Sequence, residues 1–191
     1  MKESSLSQLA PPIDYKKSIE KKALVYRITF KVVFDHFLMF LASFMLIGIA
    51  TLIIPVLIYE VNDPLKLAIF ITVCLAVDIW MGANLVLFNR LICIKGLDST
   101  SNKENVISLL DEIYDNIYLG KSDKNIIRAI QPPTDFTWGR IITVLLNGNE
   151  IYINFTTLGR GISLSPFNGF SNHVKCKRIA KAFIDEFPSI A

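Results

Sequence analysis

Residues 37–59 read FLMFLASFMLIGIATLIIPVLIY, an apolar run without one charged side chain. At about 1.5 Å of rise per residue, a helix needs roughly 20 such residues to cross a hydrocarbon core of about 30 Å. A second run, LAIFITVCLAVDIWMGANLVLF, fills residues 67–88 and is broken only by Asp78 and Asn84. Between the two, Asn62, Asp63 and Pro64 are turn formers in a connection short enough to force an antiparallel pair. The expected fold therefore centres on a membrane α-helical hairpin of two transmembrane helices, 37–59 and 67–88. Neither run has the polar stripe that a helix of a soluble protein turns towards water. The first run is also too long, and starts too far into the chain, for a cleaved signal peptide.

Composition points the same way. Of 191 residues, 52% are hydrophobic and 19% charged, and the mean hydropathy is +0.44. A soluble domain carries about 25% charge. These values exclude a disordered, collagen-like or disulfide-stapled secreted chain. Cys74, Cys93 and Cys176 form no CxxC pair and suit a reducing compartment. Lys16, Lys17, Lys21, Lys22, Arg27 and Lys31 precede the first run, and Arg90 and Lys95 follow the second. The connection carries Glu60 and Asp63, with Lys66 at its edge. The excess of flanking cations predicts both termini in the cytoplasm, in a bacterial inner membrane.

Three parts are expected: a cytoplasmic segment 1–36, the hairpin 37–88 and a cytoplasmic α+β domain 89–191. In the first, Ile19, Ala23, Tyr26, Phe30, Val33 and Phe37 recur at helical spacing, which predicts a basic amphipathic helix from Asp14 to His36. Leu24, Tyr26, Ile28, Phe30 and Val32 also alternate as a strand would. In the last part, residues 91–94 read as a strand. Ser101 and Glu104 have capping-box spacing for a helix that carries Val106, Leu109 and Leu110 and stops at Gly120. Residues 125–130, 141–146 and 151–155 read as strands, the last two joined by a turn at Asn147-Gly148-Asn149-Glu150. A further short strand is expected at 162–164, and Trp138 reads as a packing residue. Ser171 opens a final helix with Cys176, Ile179, Phe183 and Phe187 on one face and Lys175, Lys177, Arg178 and Lys181 opposite. This pattern predicts a small, mainly antiparallel sheet with helices. The order resembles bacterial membrane-anchored domains of pleckstrin-homology-like shape, from which the early helix 103–118 departs.

Asp78 is the most conspicuous candidate site. An acid inside a membrane helix costs about 2.5–3.5 kcal/mol on insertion scales. In an antiparallel hairpin Gly48 lies at its depth and permits close approach, and Thr51 offers a hydroxyl one turn away. Asp78 reads as a carboxyl hydrogen-bonded within the hairpin or an oligomer, as a charge partner for another membrane helix, or as an ion relay. Arg160, Lys175, Lys177, Arg178, Lys181, Lys21 and Lys22 are candidate contacts for an anion or a lipid surface, at about 1 kcal/mol per cation near anionic headgroups. The amides opening the last helix, at 168–172, are a further anion candidate. His173 and Cys176 share a helix face, but the only other histidine, His36, falls at the membrane edge, so no metal site is expected.

No serine elbow, Walker loop or catalytic set is legible, and no cofactor is expected. Net charge of +3 and a pI near 8.7 give no specific nucleic-acid signal. The expected function is a membrane-anchored, non-enzymatic interaction or accessory module. Its cytoplasmic domain would bind a protein partner or an anionic lipid surface, and its hairpin would meet the bilayer and a membrane protein or second copy. The alternative is a component of an oligomeric ion- or proton-conducting assembly that uses Asp78.

Overall fold

Gly148 and Asn149 form a two-residue turn, with Gly148 at φ +61, and Asn147 pairs with Glu150 across it. Glycine at the first central position is what such a hairpin turn demands. A computed structural model describes residues 11–30, 32–34, 37, 41, 45, 48, 64–115, 117–120, 124–133, 138–158 and 166–188. The hairpin strands are β4 (Gly139–Asn147) and β5 (Glu150–Leu158). Before them come α1 (Tyr15–Lys21), α2 (Pro64–Phe88), β1 (Ile92–Lys95), α3 (Ser99–Ile113), β2 (Tyr118–Leu119) and β3 (Ile126–Gln131). After them a 3-10 turn, Pro166–Asn168, leads into α4 (Gly169–Glu186). The sheet runs in the order β1-β5-β4-β3-β2. Its pairs are antiparallel, which agrees with the small, mainly antiparallel sheet expected from the sequence.

Alternation along the strands sorts the core into two layers. Ile127, Ile142, Val144, Ile153 and Phe155 face α3 and α4, where Val106, Leu109, Leu110, Cys176, Ile179 and Phe183 cover them. On the other face, Leu145 and Tyr152 join Leu91 in a second cluster closed by Ile13 and Leu24. The segment before the first apolar run is thus part of the domain. Tyr15 Oη donates to the Leu146 carbonyl at 2.6 Å and Arg128 to the Pro11 carbonyl at 2.8 Å. Backbone pairing ties it further: Leu24 N bonds to Asn89 O and Leu91 N to Lys22 O.

This arrangement corrects the expected helix from Asp14 to His36. Asp14 caps α1 by accepting from Lys17 N. The helix stops where Lys22 turns left-handed at φ 49, and Ala23 and Tyr26 then bridge to Arg90 and Ile13. The alternating residues are used as extended chain because they cover the open sheet face. Helix resumes at Phe30, and the described residues of the first apolar run, Phe37, Leu41, Met45 and Gly48, are helical.

Three local boundaries also differ from expectation. Asp98, not Ser101, caps α3, accepting from Thr100 N and Ser101 N while Ser101 Oγ donates to it. That helix ends at Ile113 rather than Gly120, because Tyr118 and Leu119 pair with Ile130 and Ala129. Helix α4 starts at Gly169, before Ser171. Trp138 is 56% exposed rather than packed. The expected strand 162–164 lies outside the described residues.

Among the described residues α2 is the one helix long and apolar enough to cross a membrane, by length and composition. Its 25 residues span roughly 37 Å at about 1.5 Å each. Only 17% of its most apolar window is buried, unlike the core helix of a soluble protein. Leu65, Ile69, Val73, Ile79 and Val86 are exposed. Uncovered apolar surface of that extent marks an interaction or membrane site.

Candidate functional site

The last turns of α2 are locked to the domain by two buried asparagines and one glycine. Asn84 donates to Trp80 O at 2.8 Å, and its Oδ1 accepts from Phe170 N at 2.9 Å. The first turn of α4, an anion candidate on sequence grounds, therefore gives one of its free amides to α2. Gly169 lies against the Asn84 backbone, where a Cβ would run into the Asn84 carbonyl oxygen and sit 2.7 Å from its carbon. Asn154 on β5 donates to the Phe88 and Arg90 carbonyls at 3.3 and 3.1 Å, capping the end of α2. Thr157 donates to Asn172 Oδ1 at 2.6 Å, tying β5 to α4. Trp80 stacks on Phe167, centroids 6.4 Å apart.

These contacts orient the domain. β1 leads away from α2, and its Lys95 pairs with Glu150 beside the far turn. The opposite end holds the start of β4, the end of β5 and the start of α4, beside the last turns of α2. Trp138, Phe167 and Phe170 are exposed at this end.

Asp78 lies half a turn before Trp80, where the gripped part of α2 begins, and about 9 Å along the axis from Asn84. Its Oδ1 is covered and has no hydrogen-bond partner among the described residues. A side chain at Gly48 would meet nothing within 4 Å. Thr51 and Arg160 lie outside the described residues.

The basic face expected on α4 splits in two. Lys177 and Lys181 are exposed and point away from the sheet, as Lys21 and Lys22 do on α1 and its cap. Lys175 instead stands over the Phe155 ring, 4.8 Å from Nζ to centroid. Arg140, at the start of β4, stands 5.6 Å over the Tyr114 ring, and the two rings are 6.3 Å apart. Burial holds the Lys175 ammonium below its ordinary value, and Arg140 and Arg178 add to the depression. None of these three cations forms an ion pair with a described residue. Arg140 escaped the sequence reading because nothing in an isolated GRIIT strand start announces a site 35 residues away from Lys175 in sequence.

Elsewhere, Tyr26, Arg128, Thr143 and Thr156 line a cavity of about 10 Å³, too small for anything larger than a water. Cys176 is a core residue whose thiol burial pushes up to about 12. Among the described residues no three His, Cys, Asp or Glu side chains gather as metal ligands.

His173 faces Lys177 and Arg90, and its proton affinity is lowered, first by burial and then by those two cations. A histidine depressed below its ordinary 6.5 resists a proton that the unfolded chain accepts. Stability should therefore be unaffected above pH 7 and fall as pH drops through about 6.5. Thermal melts of the detergent-solubilised chain between pH 8 and 5 should reveal this decline, and His173→Gln should flatten it.

The chain matches no protein-family model, no curated protein and no solved structure.

Proposed function

We propose that the chain is a two-pass membrane protein whose cytoplasmic α+β module serves as a non-enzymatic interaction or accessory module at the bilayer surface. One observation carries this reading: residues 11–26 and 89–158 pack into the same sheet layers. Two parts of one folded unit occupy the same side of a membrane. If α2 crosses it, the chain between 27 and 63 crosses it once more, and the apolar run 37–59 is the span available. The lysine-rich flanks favour the cytoplasm for the module, in an inner membrane.

The module would meet a protein partner or an anionic lipid surface. Its attachment supports this, because Asn84, Gly169 and Asn154 fix it to α2 in one orientation rather than on a free tether. The second reading, an ion- or proton-conducting assembly, rests on Asp78 and its covered oxygen. Asp78 stands just before the part of α2 that the module grips, which begins at Trp80.

Gentle-detergent extraction, with mass spectrometry of co-purifying proteins and lipids and of the intact complex, tests the choice. A stoichiometric membrane partner or selectively retained anionic lipid supports the interaction module. A homo-oligomer whose ion flux in liposomes is abolished by Asp78→Asn supports the conducting assembly instead.

A further inference from the structure

Like charges gathered with no opposite charge paired to them among the described residues are costly to a fold, so a cluster of this kind calls for a ligand. Arg140 and Lys175 come from different elements, β4 and α4, and stand over adjacent rings of Tyr114 and Phe155. Arg178 follows Lys175 by three residues and so shares its helix flank. Asp111, Glu112 and Asp115 on and after the neighbouring helix are exposed, and none pairs with these cations. The aromatic floor holds the two cations in place and shields them from water, which strengthens their pull on an anion. Two arginine forks and one ammonium match the several oxygens of a phosphate better than a single carboxylate.

Position narrows the source. Arg140 pairs with Thr157, and Thr157 bonds to Asn172 in the turn of α4 that follows its contact with Asn84. The cluster therefore belongs to the end of the domain that adjoins α2. Trp138, two residues before Arg140, and Phe167 and Phe170 before and within the first turn of α4 are exposed at the same end. A tryptophan such as Trp138 is of the amphipathic kind that sits at headgroup level.

We propose that Arg140, Lys175 and Arg178 form a binding site for the phosphate of an anionic phospholipid headgroup. The site gives the interaction module a lipid ligand, and so rests on the membrane-anchored reading. Its test is read in detergent micelles, where an error in membrane orientation has no effect. The full chain is purified in micelles doped with equal phosphatidylglycerol and phosphatidylcholine, and retained lipid is counted by native mass spectrometry. Wild type should retain phosphatidylglycerol preferentially. Arg140→Gln with Lys175→Gln should lower that retention about tenfold or more, whereas Lys177→Gln with Lys181→Gln leaves it unchanged. Arg178→Gln alters an exposed position that does not threaten folding, and should alone lower retention about threefold. Equal retention across wild type, Arg178→Gln and the two double variants would overturn the site. Release of the lipid by millimolar inorganic phosphate would overturn the lipid as its source.

Discussion

Residues 89–191 expressed without the segment 11–26 should fail to form a stable domain. The sheet face carrying Leu145 and Tyr152 is closed by Ile13 and Leu24, both about 95% buried at 5% and 4% exposure. Burial of each such side chain contributes about 1.5–3 kcal/mol. Together they amount to about 3–6 kcal/mol, a large share of the roughly 5–15 kcal/mol that holds a typical domain. Loss of the segment also strips the Leu146 and Asn89 carbonyls of partners. Circular dichroism should show a non-cooperative melt for 89–191. Joining 11–30 to 89–188 through a flexible linker should restore a sharp transition, since Leu24 already pairs beside Asn89. A cooperative melt of 89–191 at the temperature of the joined chain would contradict this account. In the full chain, Leu24→Ala should cost about 2–5 kcal/mol.

Replacement of Gly169 by valine should open the joint between α2 and α4. A Cβ there meets the backbone of Asn84, which cannot move aside without moving α2. The Phe170–Asn84 hydrogen bond and the Trp80–Phe167 stack would both be lost. An orphaned buried donor costs about 1–3 kcal/mol and an aromatic pair adds about 0.5–1.5 kcal/mol. Hydrogen–deuterium exchange of the full chain should therefore speed up in the first turn of α4 by about tenfold or more. Exchange in β4 and β5 should stay at the wild-type rate, because their core contacts lie farther along α4 at Cys176, Ile179 and Phe183. Unchanged exchange at Phe170 would mean that the joint does not depend on this close approach.

What could be read from sequence follows physical lines. The apolar run 67–88 needs no neighbour to be recognised, and the Asn-Gly turn specifies its own backbone, so both were legible. Strands β1, β3, β4 and β5 were legible for the same reason, since alternation and turns are local, whereas β2 was read as helix. Residues 19–33 were not, because their apolar positions satisfy a period of 3.6 and a period of 2 together. What decides between them is the open face of a sheet whose strands lie more than a hundred residues away. The left-handed turn at Lys22 carries no glycine or asparagine to announce it.

The candidate site was half legible. Lys175 and Arg178 were visible as charges on the last helix, but a helical wheel does not say which flank of it lies over aromatic rings. Phe155 and Tyr114 lie beneath the flank that carries Lys175. Asn84 was visible as an interruption of the apolar run, but its role depends on an amide 86 residues away. Asp78 drew attention for its charge alone, whereas the covering of its Oδ1 depends on neighbours that no sequence pattern announces.

The central claim is that the segment before the first apolar run and the domain after the second share one side of the membrane. Labelling with a membrane-impermeant thiol reagent tests it most directly. Cys93 is exposed, while Cys74 and Cys176 are buried and give little background. In a Cys93→Ser background, Lys16→Cys and Asn62→Cys report the N-terminal segment and the connecting loop. The account predicts that Cys93 and Lys16→Cys react in inverted membrane vesicles and not in intact cells, with Asn62→Cys the reverse. Reaction of Cys93 and Lys16→Cys from opposite sides, or of all three from the same side, would contradict it.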